Sequence, residues 1–274
     1  MSASSAEGLT LTVVGCTGSA SGPDAPASCY LVQAPHEGRR FSLVLDLGPG
    51  AFGALCRVVD PSEADAIGFS HLHADHCLDF GSFHVAAHYS PGAPFDVELY
   101  GPAGTSERLG RAYEVDPADV GAFAARWPAR TWQPVQQVGP LTVRTARVHH
   151  PVEAYAVRVE LGGASLTFSG DTAPCAALVD LARGTDLLLA EAGHPTGVAA
   201  TPGVHLTPVE AAEAARDAGA GALVLTHVSP WFDAAAFRDE AEATLRAAGG
   251  DQPVLRAEPG LTVHATAGSV SVLR

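Results

Sequence analysis

Three histidines and an aspartate fall within the six residues from His71 to His76, in the order His-x-His-x-Asp-His, behind the apolar run AIGF at 66–69. Such a cluster is either an incidental polar loop or one half of a binding site. The rest of the chain decides, because three more strand-like runs end in the same way. LTVRTARV (141–148) is followed by His150, ASLTFSG (164–170) by Asp171, and GALVLT (221–226) by His227. Four strands that each deliver a potential ligand at one end require a fold that brings those ends together, and loops at strand ends are where sheet proteins assemble sites. Imidazole with carboxylate suits Zn²⁺, and admits Mn²⁺ or Fe. The alternate spacing points His71 and His73 the same way. Asp75 and His76 are left to turn toward a second point.

The remaining pattern fills in the layers. LTLTVVG (9–15), SCYLVQA (28–34), FSLVLDLG (41–48) and VELYGP (97–102) read as short strands. YAVRVEL (155–161) and ASLTFSGD (164–171) pair around the Gly162-Gly163 turn. Residues 104–125 read as helical in pieces, and DLLLAE (186–191) as a buried strand. A helix start is written at Thr207, which can cap, with Pro208 at the first helical position, Glu210 completing a capping box and Gly219 as the stop. A second helix is expected over about 233–248, and PVLRAE, LTVHA and SVSVLR close the chain as strands. Runs of strands followed by helices, twice over, predict two sheets covered by outer helices. A chain of 274 residues with 47% apolar content is expected to fold as one α/β domain over 1–274.

Composition excludes several function classes. The net charge is −14, and an acidic surface disfavours extended contact with nucleic acid. All sixteen basic residues are arginine, which removes Schiff-base chemistry and P-loop lysines. No apolar run approaches the roughly 18 residues of a membrane span. The start, MSASSAEG, has neither a basic nor an apolar signal region. Five scattered cysteines without a CxxC pair fit reduced thiols, so a cytoplasmic protein is expected. Cys77, next to His76, reads as a small buried hydrophobe or as a neighbour of the metal.

SHLHADH, with HP at 150–151, SGD at 169–171 and TH at 226–227, resembles the metallo-β-lactamase superfamily in order and spacing along nearly the whole chain. The resemblance implies an αββα sandwich with a dinuclear centre. His71, His73 and His150 would hold one divalent ion, Asp75, His76 and His227 the other, with Asp171 between them. His149 is the alternative to His150. Asp46, ending FSLVLD, would orient a ligand histidine. GVHLTPVEAAEAA resembles the His-Leu/Ser-Thr element of the phosphodiesterase branch, which includes ribonuclease Z, and LYGPAGT (99–105) is typical of the same branch. There His205 would not bind metal but would give a proton to the leaving oxygen. Asp75 would orient the attacking water, whose pKa two metal ions lower toward 7.

Within that branch the substrate is narrowed by a gap. Asp171 follows His150 by only 21 positions, too few for the long arm of bacterial ribonuclease Z proteins. A small phosphodiester, a cyclic nucleotide such as cAMP first, is therefore expected. RNA 3′ processing and hydrolysis of a lactone or thioester are the alternatives. Relatives in this branch are often homodimers, which leaves a dimer open. His84 and His88 read as packing or cleft residues, and His194 as pocket lining. His36 and His264 read as surface. Trp231 and Phe232 read as a stacking platform or dimer contact. The loop at 15–28 reads as a flap over the site or a flexible connector.

Overall fold

The computed structural model describes residues 8–198 and 203–274. Strands β1 (Leu9–Gly15), β2 (Cys29–His36), β3 (Arg39–Leu45), β4 (Ala66–Gly68), β5 (Glu98–Gly101) and β6 (Ala129–Thr131) belong to one sheet. The next seven form a second sheet: β7 (Val135–Val138), β8 (Leu141–Arg147), β9 (Tyr155–Leu161), β10 (Ala164–Phe168), β11 (Leu187–Glu191), β12 (Ala222–Thr226) and β13 (Val254–Arg256). Finally β14 (Thr262–Thr266) and β15 (Ser269–Val272) return to the first, whose order is β15-β14-β1-β2-β3-β4-β5-β6.

Period-2 alternation sorts the apolar side chains into layers. Leu9, Leu11 and Val13 of β1 face Val157, Val159, Leu187, Leu189 and Val224 across the central core. The opposite faces carry Leu31, Val44 and Ile67 on the first sheet, and Leu188, Ala190, Leu223 and Leu225 on the second. Helices α1 (Ala51–Leu55), α2 (Ala74–Cys77), α3 (Phe80–Tyr89), α4 (Thr105–Tyr113) and α5 (Val120–Arg126) follow the strands of the first sheet. Phe80, Phe83, Leu109 and Phe123 from them cover its outer face. Helices α6 (Ala176–Ala182), α7 (Pro208–Ala218) and α8 (Ala234–Ala247) cover the other with Leu178, Ala211, Ala215, Phe237 and Leu245. Four layers, αββα, result, as the sequence pattern implies. With both faces covered, β11 and β12 are fully buried and apolar up to their last residues, Glu191 and Thr226. No helix among the described residues is long and apolar enough to cross a membrane.

Strand direction places the site. β3 to β6 run parallel, as do β10 to β13, and helices carry the crossovers. The carboxyl ends of these strands lie at one edge of the sandwich, where open parallel sheets bind ligands. β1 and β8, each antiparallel to a neighbour that is itself antiparallel to a parallel strand, end at that edge too.

Several expectations are corrected here. Strands are shorter than the pattern suggested, so the polar residues sit in loops beyond them: β4 stops at Gly68, three residues before His71, and β10 at Phe168, before a Ser169-Gly170 turn. β6 and β7, short and largely exposed, gave no alternation to find. Of the two readings of His84 and His88 the structure shows packing: both belong to α3 in the helical layer, where Trp127 Nε1 donates to His84 Nδ1 at 2.7 Å and His88 Nδ1 donates to the His84 carbonyl at 2.9 Å. Burial, with His88 and Arg126 nearby, pushes His84 down to about 4, so its ring stays neutral.

Candidate metal centre

At the shared edge the structure brings the sequence-selected residues into two groups. His71, His73 and His150 form one; Asp75, His76, Asp171 and His227 form the other, each with ligand atoms within 4.8 Å of one another. His150 Nε2 lies 3.1 Å from His73 Nδ1, and His76 Nε2 lies 3.1 Å from His227 Nε2. Asp171 Oδ2 is 3.3 Å from His76, 3.4 Å from His227 and 3.8 Å from His71, so it stands between the groups. His149 is exposed and belongs to neither group, whereas His150 is half-buried within the first. Cys77 is buried, and its thiol donates to the His73 carbonyl at 3.2 Å, outside both groups.

Local backbone explains the aim of each side chain. Asp75 and His76 sit on the single-turn helix α2, which swings them away from His71 and His73. Gly170 has φ +57°, and a Cβ there would lie 2.6 Å from the Tyr155 carbonyl, so the turn presenting Asp171 needs glycine. His227 follows β12 with φ +57°, a costly conformation for a residue with a Cβ.

Outer partners fix which ring nitrogens face inward. Asp46, fully buried at the end of β3, accepts from Ser70 N (2.7 Å), Ser70 Oγ (2.8 Å) and His76 Nδ1 (2.7 Å). Because the Ser70 hydroxyl proton goes to Asp46, Ser70 Oγ accepts from His71 Nδ1 at 3.1 Å. His150 Nδ1 donates to the Val204 carbonyl at 2.9 Å. The Nε2 atoms of His71, His76 and His150 are thereby turned inward. Burial, with the neighbouring His76, holds His71 well below the ordinary histidine range. Burial opposes charge on His76, but Asp171 and Asp46 outweigh it and push that ring up. Asp171 is driven well below the carboxylate range: burial works against this, and His227, His76 and His71 overcome it.

The donor set fits divalent metal. His71 Nε2 and Asp171 Oδ1 are buried without a hydrogen-bond partner among the described residues. Both are acceptors, and a cation satisfies what no protein donor does. By contrast a cavity of about 690 Å³ lies at the far end of the first sheet among Thr10, Gln33, Arg40 and His264; it shares no residue with these groups.

Glu191 carries no signal in the sequence. The last residue of β11, it is fully buried and accepts from Thr172 N (2.8 Å), Gly193 N (2.9 Å) and His205 Nδ1 (3.0 Å). His205 itself stands beside Asp171, with its Nδ1 3.7 Å from Asp171 Oδ2. Burial opposes its charge, but the Glu191 hydrogen bond and the nearby Asp171 and Asp75 carboxylates raise it to about 9. His194 packs edge-on against His205 at 4.9 Å, with a buried Nε2. Trp231 lies exposed, and Phe232 stacks on Phe237.

Gly193 gives His205 its room. A Cβ at 193 would lie 2.8 Å from His205 Cγ and 3.1 Å from Glu191 Oε2. Gly193→Ala is therefore expected to displace His205 and lower kcat on a phosphodiester by about a hundredfold, with metal uptake unchanged. A wild-type kcat would show that His205's position does not matter.

Comparison with known proteins agrees with this architecture. Residues 43–228 match the family described as the beta-lactamase superfamily domain. An uncharacterized protein of Mycobacterium tuberculosis is 41% identical over 211 residues, covering 76% of each chain. The probable metallo-hydrolase YhfI of Bacillus subtilis is 26% identical over 214 residues, 76% of this chain and 82% of that one. A ribonuclease Z of Mycobacterium bovis is 29% identical over 197 residues, 66% and 69% of the two chains. The crystal structure of YhfI superposes with a TM-score of 0.80 at 24% identity, over 94% of this chain and 100% of that one. Human tRNase Z, short form, gives 0.69 at 20% identity, over 92% and 98%. A diphosphatase of the PhnP family gives 0.69 at 20%, over 93% and 96%. With the fold, the clustered His and Asp side chains and the family match in agreement, the chain belongs to the beta-lactamase superfamily and is one of its metallo-hydrolases.

Proposed function

We propose that this metallo-hydrolase cleaves a small phosphodiester, with a cyclic nucleotide such as cAMP as the first substrate to test. The observation that carries the reading is His205. It is a histidine braced on a buried carboxylate and pushed up to about 9, 3.7 Å from Asp171 and outside the His71–His73–His150 and Asp75–His76–Asp171–His227 groups, with Glu191 and His227 as its own close neighbours. His71, His73 and His150 would hold one divalent ion and Asp75, His76 and His227 the other, with Asp171 shared; Zn²⁺ is the first metal to test, Mn²⁺ and Fe the alternatives. Bound there, such ions supply Lewis acidity toward a phosphoryl oxygen and acidify water. Asp75 then orients the attacking water. Glu191 holds His205 Nδ1, which leaves the opposite ring nitrogen free to give its proton to the leaving oxygen.

Small substrates are favoured by the stretch between His150 and Asp171. It is filled by β9, β10 and the Gly162-Gly163 turn, with no protruding insertion, and the net charge of −14 repels polyanions. Ribonuclease Z among the relatives keeps RNA 3′ processing as the second reading. Turnover of cyclic AMP, bis-p-nitrophenyl phosphate, a precursor tRNA and a lactone, side by side, separates these. Cyclic nucleotide hydrolysis without RNA trimming is expected; fast RNA trimming with no cyclic nucleotide turnover overturns the proposal, and so does turnover of the lactone alone.

A further inference from the structure

The segment between β1 and β2, residues 16–28, leaves the first sheet at the metal edge and folds back as a strap. The amides of Cys16 and Thr17 both donate to the Pro26 carbonyl at 3.0 Å, and Thr17 Oγ1 donates to the Ala25 and Pro26 carbonyls at 2.8 and 2.6 Å. Gly18 N donates to the Val228 carbonyl at 3.2 Å, which ties the strap to the loop carrying His227. The strap is therefore not a flexible connector.

Two of its residues touch the metal-binding groups. Ser19 N donates to Asp75 Oδ2 at 2.9 Å, the one backbone amide on that carboxylate among the described residues. Ser19 holds φ +64° to do so, a left-handed conformation unusual for serine. Gly18 packs against His227: a Cβ there would fall 2.2 Å from the His227 carbonyl and 2.7 Å from His227 Nδ1. His227 differs from its neighbours in how it is held. His71, His76 and His150 each tie their second nitrogen to Ser70, Asp46 or Val204, whereas His227 Nδ1 is buried without a partner among the described residues. On the Nδ1 side of its ring the strap packs at Gly18, while Nε2 faces Asp75 at 3.2 Å and His76 at 3.1 Å.

We propose that the strap is part of the metal centre. Gly18 and Ser19 are positioning residues for His227 and Asp75, and strap order is coupled to loading of the Asp75–His76–Asp171–His227 group. The inference rests on reading those side chains as ligands. Coupling of this kind is reciprocal: what loosens the strap weakens the metal, and the metal tightens the strap.

The test uses the full chain after treatment with chelator, titrated with Zn²⁺ by calorimetry and followed by amide hydrogen exchange. Exchange at residues 17–20 is expected to slow when Zn²⁺ is added. Gly18→Ala, which crowds His227, and Ser19→Pro, which lacks the amide and cannot reach φ +64°, are expected to lose about 10–100-fold in affinity for one equivalent of metal. Ser19→Gly keeps the amide and adopts the turn freely, so it should bind as wild type. Circular dichroism of the metal-free variants checks folding, and if Ser19→Pro does not fold, Gly18→Ala and the exchange data carry the test. Wild-type affinity in Gly18→Ala, or strap exchange indifferent to Zn²⁺, overturns the proposal and leaves the metal centre standing. A wild-type protein that takes up neither Zn²⁺ nor Mn²⁺ overturns both.

Discussion

Replacing His205 with alanine is expected to lower kcat on a phosphodiester by about a hundredfold to ten-thousandfold, the range for losing a positioned general acid, while metal content stays at the wild-type level. The expectation follows from how the ring is held. Its Nδ1 proton is committed to Glu191, and Glu191 is itself fixed by the Thr172 and Gly193 amides, so the ring cannot turn to satisfy another partner. Its Nε2 has no hydrogen-bond partner among the described residues, and the ring is raised to about 9, so it carries a proton to donate at neutral pH. It stands beside Asp171, outside the His71–His73–His150 and Asp75–His76–Asp171–His227 groups, and its own close ligand-type neighbours are Glu191 and His227. Full phosphodiester turnover in His205→Ala, with both metals present, would remove the general-acid role and favour ester hydrolysis on the same scaffold. The same variant on a lactone gives the complementary reading. A carbonyl ester with a good leaving group needs less help from an acid, so its hydrolysis should fall much less.

What the sequence disclosed, and what it hid, follows from the range of each interaction. His71, His73, Asp75 and His76 are legible because four potential ligands crowd one short loop. The capping box at Thr207 and Glu210 is legible because all its atoms lie within one helical turn, and the structure closes it with both hydrogen bonds. The two sheets are legible through alternation in β1 and β9 and through unbroken apolar runs in β11 and β12. Glu191 was hidden. It ends an apolar strand like any boundary residue, and its distant partners, Thr172 from the loop after β10 and His205 from the segment before α7, are brought to it by tertiary structure. Ser70 was hidden for the same reason: its role exists only because Asp46, from a different strand, takes its proton and so fixes His71. The sequence does not decide between flap and connector for the loop at 15–28, because its hold on the site depends on a carbonyl at Val228 and a carboxylate at Asp75, each more than fifty residues away along the chain.

Asp46 offers the second large effect, and two substitutions divide it into a folding part and a metal part. The carboxylate is fully buried and is the only acceptor for His76 Nδ1 among the described residues, while also taking both donors of Ser70. Asp46→Ala leaves those donors unpaired in the core, and chemical denaturation of the metal-free protein should show a loss of about 3–5 kcal/mol, the cost of removing one partner from a buried pair. Asp46→Asn should keep the fold. Its oxygen can still accept from Ser70 N, but its amide would stand where His76 Nδ1 now donates. His76 must then accept at Nδ1 and carry its proton on Nε2, so an N–H points at His227 and Asp171 where a lone pair is needed. The Asn variant should thus retain most of its stability yet lose about 10–100-fold in metal affinity, measured by titration with Zn²⁺ against a competing chelator. If Asp46→Asn loads as tightly as wild type, the tautomer of His76 is not set by Asp46, and the link drawn from the end of β3 through Ser70 and His76 to the metal groups is broken.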